Sequence, residues 1–184
     1  MPRKICLKKL VKKISRADPN PKKDFRVHLS GGNKTSFDYS RVPISSLQLA
    51  PVIHNPEKII CVGLNYRDHC EEQDKPIPAE PVIFNKFPST LIAAGEAIQL
   101  PKIGCNTDLE AELAIIIGKD GRHISKENAF DHVFGYTIAN DVSGRDWQKK
   151  RNGGQWLLGK TFDTFCPLGP IVDTTLDPTS LSIK

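Results

Sequence analysis

Two glutamates separated by one residue stand at the start of an apolar run. Glu110 and Glu112 belong to the segment Asp-Leu-Glu-Ala-Glu-Leu-Ala-Ile-Ile-Ile, and its apolar stretch 113–117 suits a buried strand. Because side chains alternate between the faces of a strand, both carboxylates point the same way, with Cβ atoms roughly 7 Å apart. Such anions beside a core favour a neutralising cation, and Mg²⁺ or Ca²⁺ prefers carboxylate oxygens. An exposed strand face, whose acids meet water or a lysine, is the commoner explanation of such a pair alone.

Asp141 is a third carboxylate in a position typical of functional residues. It stands where an apolar segment ends and the polar loop Asn-Asp-Val-Ser-Gly-Arg-Asp begins, and functional carboxylates often lie at strand ends. Beside Glu110 and Glu112 it would complete a three-oxygen face that leaves positions on Mg²⁺ for water and a chelating substrate. Alone, Asp141 is equally well explained as the N-cap of a helix through 146–150.

His69 and Glu72 form a second pair with chemical potential. They are three residues apart in Gly-Leu-Asn-Tyr-Arg-Asp-His-Cys-Glu-Glu, so that in a helical turn they share a face. A carboxylate beside an imidazole raises its basicity and fixes its tautomer, which lets the pair take a proton from water. An ordinary surface pair is the more frequent outcome of this spacing.

Lys160 lies in Leu-Gly-Lys-Thr-Phe-Asp, between a glycine and an aromatic residue. These neighbours indicate a lysine held in a constrained loop, where it could bind a substrate carboxylate. The Gly-Lys-Thr triplet lacks the strand and glycine spacing of a P-loop, so the sequence argues against nucleotide binding.

The elements that must position these residues are mostly strands. Fourteen prolines and thirteen glycines indicate many turns and few long helices. From residue 58 the sequence predicts a strand-rich, mixed α/β domain with short helices between strands. The predicted strands are 58–62, 81–85, 108–118, 133–139 and 167–172; the predicted helices are 65–73, with an ordered loop as the alternative, and 125–132 with Ser125 as N-cap.

Positive charge is concentrated at the N-terminus. Residues 1–23 hold nine Lys or Arg and one Asp, so the remainder of a chain with total charge +5 is net negative. This distribution argues against nucleic acid as a partner. No apolar run is long enough to span a bilayer, which argues against a membrane protein. Five cysteines without a CxxC pair are typical of free thiols in a reducing compartment and match no common zinc framework.

Three regions follow from these patterns. Residues 1–16 place Leu7, Leu10, Val11 and Ile14 among lysines, which predicts a basic amphipathic tail or a mitochondrial targeting segment. Residues 17–57 are a turn-rich connecting region, and 58–184 are expected to form the domain that carries the candidate catalytic and metal-binding residues. The chain is therefore expected in mitochondria, with the cytoplasm as the alternative.

Five motifs together make the run 58–184 resemble the fumarylacetoacetate hydrolase family. They are GLNYRDHCEE, PVIFNKFPST, DLEAELAIIIGKDG, FGYTIANDVSGRD and LLGKTFDTFCPLGP, and their order and spacing also match. The resemblance implies a β-roll fold, a homodimer, and Mg²⁺, with Mn²⁺ or Ca²⁺ as alternatives, bound by Glu110, Glu112 and Asp141.

The resemblance also implies functions for other side chains. His69 and Glu72 match the pair that activates water in hydrolytic members, and Lys160 matches a lysine that contacts substrate. Lys86, Arg145 and Gln148 match further substrate-binding positions.

Members of the family act on small oxo-acids, and the local likeness favours enol–keto tautomerisation of oxaloacetate. Hydrolysis of C–C bonds in acylpyruvates and decarboxylation of oxaloacetate are the alternatives. Because the family's sequence continues beyond the point matched by residues 182–184, the resemblance also implies a C-terminally truncated domain, and an inactive truncated member is a further alternative.

Overall fold

The computed structural model describes residues 24–28, 39–43 and 49–182. The chain divides into two compact units, 1–49 and 50–184. In the first unit, β1 (Asp24–His28) pairs antiparallel with β2 (Tyr39–Pro43). The turn-rich region 17–57 thus contains a strand pair that its composition did not predict. The amphipathic segment predicted for 1–16 lies outside the described residues.

The described part of the second unit contains eight short strands and three short helices. The strands are β3 (Ile59–Gly63), β4 (Val82–Lys86), β5 (Leu91–Ile92), β6 (Thr107–Asp108), β7 (Ala111–Ile117), β8 (Val133–Asn140), β9 (Ser143–Gly144) and β10 (Cys166–Pro167). The helices are α1 (Arg67–Glu72), α2 (Arg145–Lys149) and α3 (Leu157–Lys160), with 3₁₀ turns at Pro88–Thr90, Ala129–His132, Asn152–Gly154 and Pro178–Ser180. The architecture is mixed α/β and strand-rich, as the sequence predicted.

Strand pairing is antiparallel with one exception. β3 pairs with β4, β6 with β9 and β7 with β8, all antiparallel, whereas β5 and β10 are parallel. Isolated bridges join Ala139 of β8 to Leu168 and Tyr136 to Asp173, so the chain after β10 runs along β8. The core that these contacts enclose contains Ala139, Cys166 and Leu168, with Ala114 of β7 packed against it.

The pairing of β7 with β8 determines the face of the sheet on which Glu112 lies. Glu112 lies opposite Ala139, and Ala114 lies opposite Thr137. Directly opposed residues share a face, so Glu112 shares a face with the core residues Ala139 and Ala114. The odd-numbered positions of β7 project to the other face, where Ile115 and Ile117 are exposed.

Two predicted elements are wrong in their extent. The strand predicted for 108–118 is interrupted at Leu109 and Glu110, between β6 and β7. Of the strand predicted for 167–172, only Pro167 lies in a strand, as the second residue of β10, and the backbone that follows makes isolated bridges at Leu168 and Asp173. β6 pairs with β9, and β7 pairs with β8. The break between β6 and β7 lets the chain pass from the first strand pair to the second.

The predicted helices also change. α1 confirms a helix within 65–73, and α2 begins at Arg145 with Gly144 at its N-cap, so Asp141 is not a helix cap. The helix predicted for 125–132 is wrong, because only a 3₁₀ turn forms at Ala129–His132, with Asn128 rather than Ser125 before it. No helix among the described residues is long and apolar enough to cross a bilayer.

Candidate active site

Asp141 directly follows β8, and its backbone ties it to Glu110. The Asp141 N–H donates to the Glu110 carbonyl at 2.9 Å, and the Glu110 N–H donates to the Asn140 Oδ1 at 3.1 Å. Glu110 is therefore anchored on both sides of its peptide to the end of β8. The sequence alone does not show that these two segments adjoin, and these hydrogen bonds hold them side by side.

Lys160 joins the same two carboxylates through its side chain. Its Nζ lies 2.7 Å from Glu110 Oε2 and 2.7 Å from Asp141 Oδ2. The lysine is 1% exposed and its ammonium lies 4.9 Å from the centre of the Phe84 ring. Lys160 ends α3, and the preceding Gly159 allows close packing, because a Cβ there would lie 2.7 Å from the Gln148 backbone nitrogen. The constrained lysine that the sequence indicated is thus buried among charges.

Lys86, the last residue of β4, approaches Asp141 from a different strand pair. Its Nζ lies 2.7 Å from Asp141 Oδ1 and donates to the Val142 carbonyl at 3.1 Å. The side chain is 2% exposed. The resemblance predicted a substrate contact for Lys86, whereas in this structure its ammonium is occupied by Asp141 and by a backbone carbonyl.

Arg145 forms the outer side of the cluster from the first position of α2. Its Nη2 lies 2.6 Å from Glu110 Oε1 and 2.7 Å from Asp108 Oδ2. Its Nη1 donates to Gln148 Oε1 at 2.8 Å, which places the buried Gln148 beside it. The hydrogen bond from Arg145 lowers the pKa of Asp108 below its ordinary value. Asp108 thereby fixes the guanidinium that contacts Glu110, an interaction the sequence analysis missed.

Glu112 lies near the other two carboxylates without a lysine partner of its own. Burial, followed by the negative charges of Glu110 and Asp141, raises the pKa of Glu112 above its ordinary value. A hydrogen bond with Tyr66 acts in the opposite direction. Tyr66 precedes α1 and belongs to the motif GLNYRDHCEE, so the position of this residue in the motif was a signal that the sequence analysis did not use.

The cluster sets three cationic side chains against four carboxylates, once Asp108 is counted. Burial acts to raise the pKa of Asp141, but the ammonium groups of Lys86 and Lys160 outweigh burial and lower that pKa. Two lysines and one arginine thus face Glu110, Glu112 and Asp141. An anion of small size, such as a carboxylate, finds cationic donors here, and a cation finds carboxylate oxygens.

His69 and Glu72 form the predicted pair but stand outside this cluster. The His69 Nδ1 lies 3.5 Å from a Glu72 oxygen, and the side chains are 52% and 75% exposed. The other ring nitrogen of His69 contacts the Gln73 amide. The exposed pair on α1 makes no direct contact with the carboxylates or lysines described above. The link between them is the chain segment that carries Tyr66.

The chemistry of the donor set fits a divalent cation. Among the described residues, no group of three His, Cys, Asp or Glu side chains is arranged to hold a metal ion. Glu110 and Asp141 nevertheless already share one cation, the Lys160 ammonium. The negative charges of Glu110 and Asp141 add to burial in raising the pKa of Glu112. Hard oxygen donors that gather around a positive charge are the ligands Mg²⁺ prefers.

Two cysteines adjoin the cluster and were not predicted to do so. Burial, and next the charge of Asp141, raises the pKa of the Cys61 thiol to about 12. Burial raises the pKa of the Cys166 thiol to about 11, although Lys86 acts to lower it. Cys61 is in β3 opposite Phe84, and Cys166 is in β10. Both thiols are therefore protonated at neutral pH, and they lie next to the charged groups of the cluster.

Known proteins resemble this chain in sequence and in fold. An oxaloacetate tautomerase of Xenopus laevis, described as mitochondrial, is 57% identical over 143 residues, which cover 76% of this chain and 45% of that protein. A 5-carboxymethyl-2-hydroxymuconate delta-isomerase structure from Mycobacterium smegmatis aligns with TM-score 0.68 and 38% identity, covering 85% of this chain and 63% of that one. A fumarylacetoacetate hydrolase structure from Exiguobacterium antarcticum aligns with TM-score 0.67 and 38% identity, covering 80% and 54%.

The chain spans about half the length of the curated relatives that it matches. Within the chain, residues 58–184 match the family model described as the fumarylacetoacetate hydrolase C-terminal domain. That range contains all the carboxylates, lysines and thiols of the site. The chain belongs to the fumarylacetoacetate hydrolase family.

Proposed function

We propose that this protein is a divalent-metal-dependent enzyme that acts on small oxo-acids, and that its reaction is the enol–keto tautomerisation of oxaloacetate. The observation that carries the proposal is the convergence of Glu110 and Asp141 on one buried cationic position, with Glu112 close by. The identity of 57% to a protein named oxaloacetate tautomerase supports the choice of substrate.

In this proposal Glu110, Glu112 and Asp141 hold Mg²⁺, or Mn²⁺ or Ca²⁺ in its place. The bound metal supplies a Lewis acid for the carboxylate and adjacent oxo oxygens of the substrate. Lys86 keeps Asp141 oriented through Oδ1. Arg145, fixed by Asp108 and placed beside Gln148, offers donors to a second substrate carboxylate.

Lys160 is the proposed group at the reacting atoms. An ammonium within reach of the oxo oxygen stabilises negative charge as it develops during proton transfer, and it does so best in a site that excludes water. The burial of Lys160 and the Phe84 ring beside it provide such surroundings.

Hydrolysis of a C–C bond is the second candidate, and the His69–Glu72 pair favours it. The 3.5 Å separation of this pair suits activation of a water molecule. A solved relative that aligns over most of the chain is named fumarylacetoacetate hydrolase. Decarboxylation of oxaloacetate uses the same metal-centred arrangement. A His69→Ala variant separates the candidates, because it should abolish hydrolysis of an acylpyruvate and leave tautomerisation within about twofold.

Assembly and location are proposed from the family. We propose a homodimer, which a sedimentation velocity experiment giving only monomer at micromolar concentration would contradict. We also propose a mitochondrial location, because the Xenopus relative is described as mitochondrial. A fluorescent fusion that stays in the cytoplasm would favour the alternative.

The direct test follows the loss of enol-oxaloacetate absorbance with purified protein and Mg²⁺, above the rate with Mg²⁺ alone. Wild-type protein should accelerate the loss, and EDTA should abolish the acceleration. Glu110→Gln keeps the size of the side chain but removes its charge, and it should lower the rate on the order of 100-fold. Glu80→Gln changes an exposed glutamate away from the cluster and should leave the rate unchanged.

Two results would contradict the proposal. Equal activity in Glu110→Gln and wild type would exclude the assigned metal site. A cooperatively folded protein that binds Mg²⁺ but acts on neither oxaloacetate nor acylpyruvates would favour the inactive, truncated member of the family.

A further inference from the structure

We infer that Lys160 and the metal compete for the same carboxylate oxygens, so that metal binding displaces the Lys160 ammonium from Glu110 and Asp141. The inference rests on the proposed function, because it concerns the metal proposed there. It adds a consequence for the chain itself: Lys160 neutralises the site in the metal-free protein, and it becomes free to contact a second ligand only after the metal is bound.

The position of Lys160 carries the inference. Its Nζ lies 2.7 Å from one oxygen of Glu110 and 2.7 Å from one oxygen of Asp141. The two oxygens therefore lie within twice that distance of each other, with the ammonium between them. At 1% exposure the ammonium is almost completely removed from water, and these carboxylates replace its hydration.

A divalent ion on those two oxygens cannot share the site with the ammonium. Mg²⁺ binds oxygen at about 2.1 Å, so it would lie within about 5 Å of Nζ. Two cations at that separation in a buried site repel each other strongly. Lysine carries its charge on a flexible four-carbon stem, so the ammonium can move while the backbone of α3 stays in place.

Lys86 provides the contrast. It also lies 2.7 Å from Asp141 and is also buried, but it contacts Oδ1, the other oxygen, and donates as well to the Val142 carbonyl. A metal on Asp141 Oδ2 leaves both of these contacts intact. Lys86 and Lys160 thus place the same charge at the same distance from the Asp141 carboxylate. Only Lys160 also contacts Glu110, so only its ammonium lies between the two oxygens that the metal would bind.

The experiment compares Lys160→Met with Lys86→Met by isothermal titration with MgCl₂. Each variant removes one buried ammonium and keeps a side chain of similar length. Loss of a nearby positive charge strengthens metal binding in both variants. Loss of the group that competes with the metal strengthens it further in Lys160→Met alone. We expect the dissociation constant of Lys160→Met to be lower than that of Lys86→Met by about tenfold or more.

A second readout uses the metal-free proteins. Lys160→Met leaves Glu110 and Asp141 without their shared cation, so its melting temperature should fall without Mg²⁺ and should rise on Mg²⁺ addition by more than that of wild type. If Lys160 had only a structural function, its substitution would lower the melting temperature equally with and without Mg²⁺.

Wild-type protein supplies a measurement that does not depend on the folding of the variants. NMR of the lysine ammonium groups, with assignments from Lys86→Met and Lys160→Arg, follows each Nζ during addition of MgCl₂. The Lys160 signal should change to that of a solvent-exchanging ammonium, while the Lys86 signal should persist.

Different failures identify different errors. Equal changes of the Mg²⁺ dissociation constant in the two Met variants, or a Lys160 signal that persists when Mg²⁺ is bound, would overturn the inference and leave the proposed metal site standing. Absence of Mg²⁺ binding by wild type and by both variants would overturn the proposed function, and the inference with it.

Discussion

Lys86 and Lys160 lie in surroundings that lysines seldom occupy. Lysine is almost never fully buried unless it is paired, and here each is paired with Asp141. The same two ammonium groups lower the pKa of Asp141 against the effect of its burial. Removing one partner of a buried pair leaves an uncompensated charge and is strongly destabilising. The three side chains therefore form one unit, and single substitutions within it are expected to affect both folding and ligand binding.

The buried thiols give a prediction at the scale of single residues. Because the pKa values of Cys61 and Cys166 are raised to about 12 and about 11, their thiolate fractions at pH 8 are roughly one in ten thousand and one in a thousand. The thiolate is the reactive form, so both cysteines should react with iodoacetamide at least about 100-fold more slowly in native than in unfolded protein. Peptide mass spectrometry after timed alkylation measures the two rates.

The pH dependence has a definite sign. A raised pKa keeps the thiols protonated through neutral pH, so native alkylation should continue to accelerate above pH 9, where an ordinary thiol has levelled off. A plateau near pH 9 for Cys61 in folded protein would contradict this account. The unfolded protein in urea serves as the internal reference.

At this scale the sequence indicated the candidate carboxylates, but not what they contact. Glu110 lies in the break between β6 and β7 rather than in a continuous strand with Glu112, and it meets Asp141 through the Lys160 ammonium. Lys86 contacts a residue 55 positions away in the sequence, and Arg145 contacts one 37 positions away. No local pattern encodes such distant pairs.

At the scale of elements, α3 and α2 position the charged groups by close packing. Gly159 precedes Lys160, and a Cβ on it would lie 2.8 Å from the Gly144 carbonyl oxygen and 2.7 Å from the Gln148 nitrogen. These are backbone atoms, which cannot move aside without shifting their elements. The absence of a side chain at Gly159 therefore determines how near Lys160 comes to α2.

Gly159→Ala should lower the free energy of unfolding by about 3 kcal/mol, the upper part of the range for overpacking, because the added methyl meets only rigid neighbours. It should also strengthen Mg²⁺ binding, because a displaced Lys160 competes less well with the metal for the oxygens of Glu110 and Asp141. Urea unfolding and calorimetric titration measure the two effects.

Gly153→Ala is the control for this substitution. Nothing lies within 4 Å of a Cβ at Gly153, although its φ of +62° makes a side chain there cost about 1 kcal/mol. Mg²⁺ binding should be unaffected in this variant. Equal losses of stability and equal changes of Mg²⁺ binding in the two variants would contradict the positioning effect of Gly159.

Sequence patterns predicted long apolar strands better than elements set by tertiary contacts. The strand predicted for 133–139 forms as β8, because its apolar residues pack directly on the core. The break at Leu109 and Glu110 was missed, because it depends on β6 and β7 pairing with different strands. The segment 125–132 has helix-compatible residues but few buried ones, so it lacks the packing that stabilises a helix.

At the scale of the whole molecule, the charge pattern and the apolar surface carry different information. The net positive charge lies in residues 1–23, outside the described part of the chain, whereas the site groups its cationic side chains and carboxylates within the unit 50–184. Ile115, Ile117 and Ile138 are 52%, 66% and 68% exposed on the β7–β8 pair. Apolar surface of this kind marks contact regions, and the homodimer proposed above would have to cover such residues.

The proposed metal site at Glu110, Glu112 and Asp141 can be tested by an anomalous diffraction map from crystals grown with MnCl₂. A strong peak is expected within coordination distance of all three carboxylates, with the Lys160 ammonium displaced from Glu110 and Asp141. Glu110→Gln crystals grown in the same way should lack the peak. Absence of a peak at these carboxylates in wild type, with Lys160 still between Glu110 and Asp141, would exclude the proposed metal site.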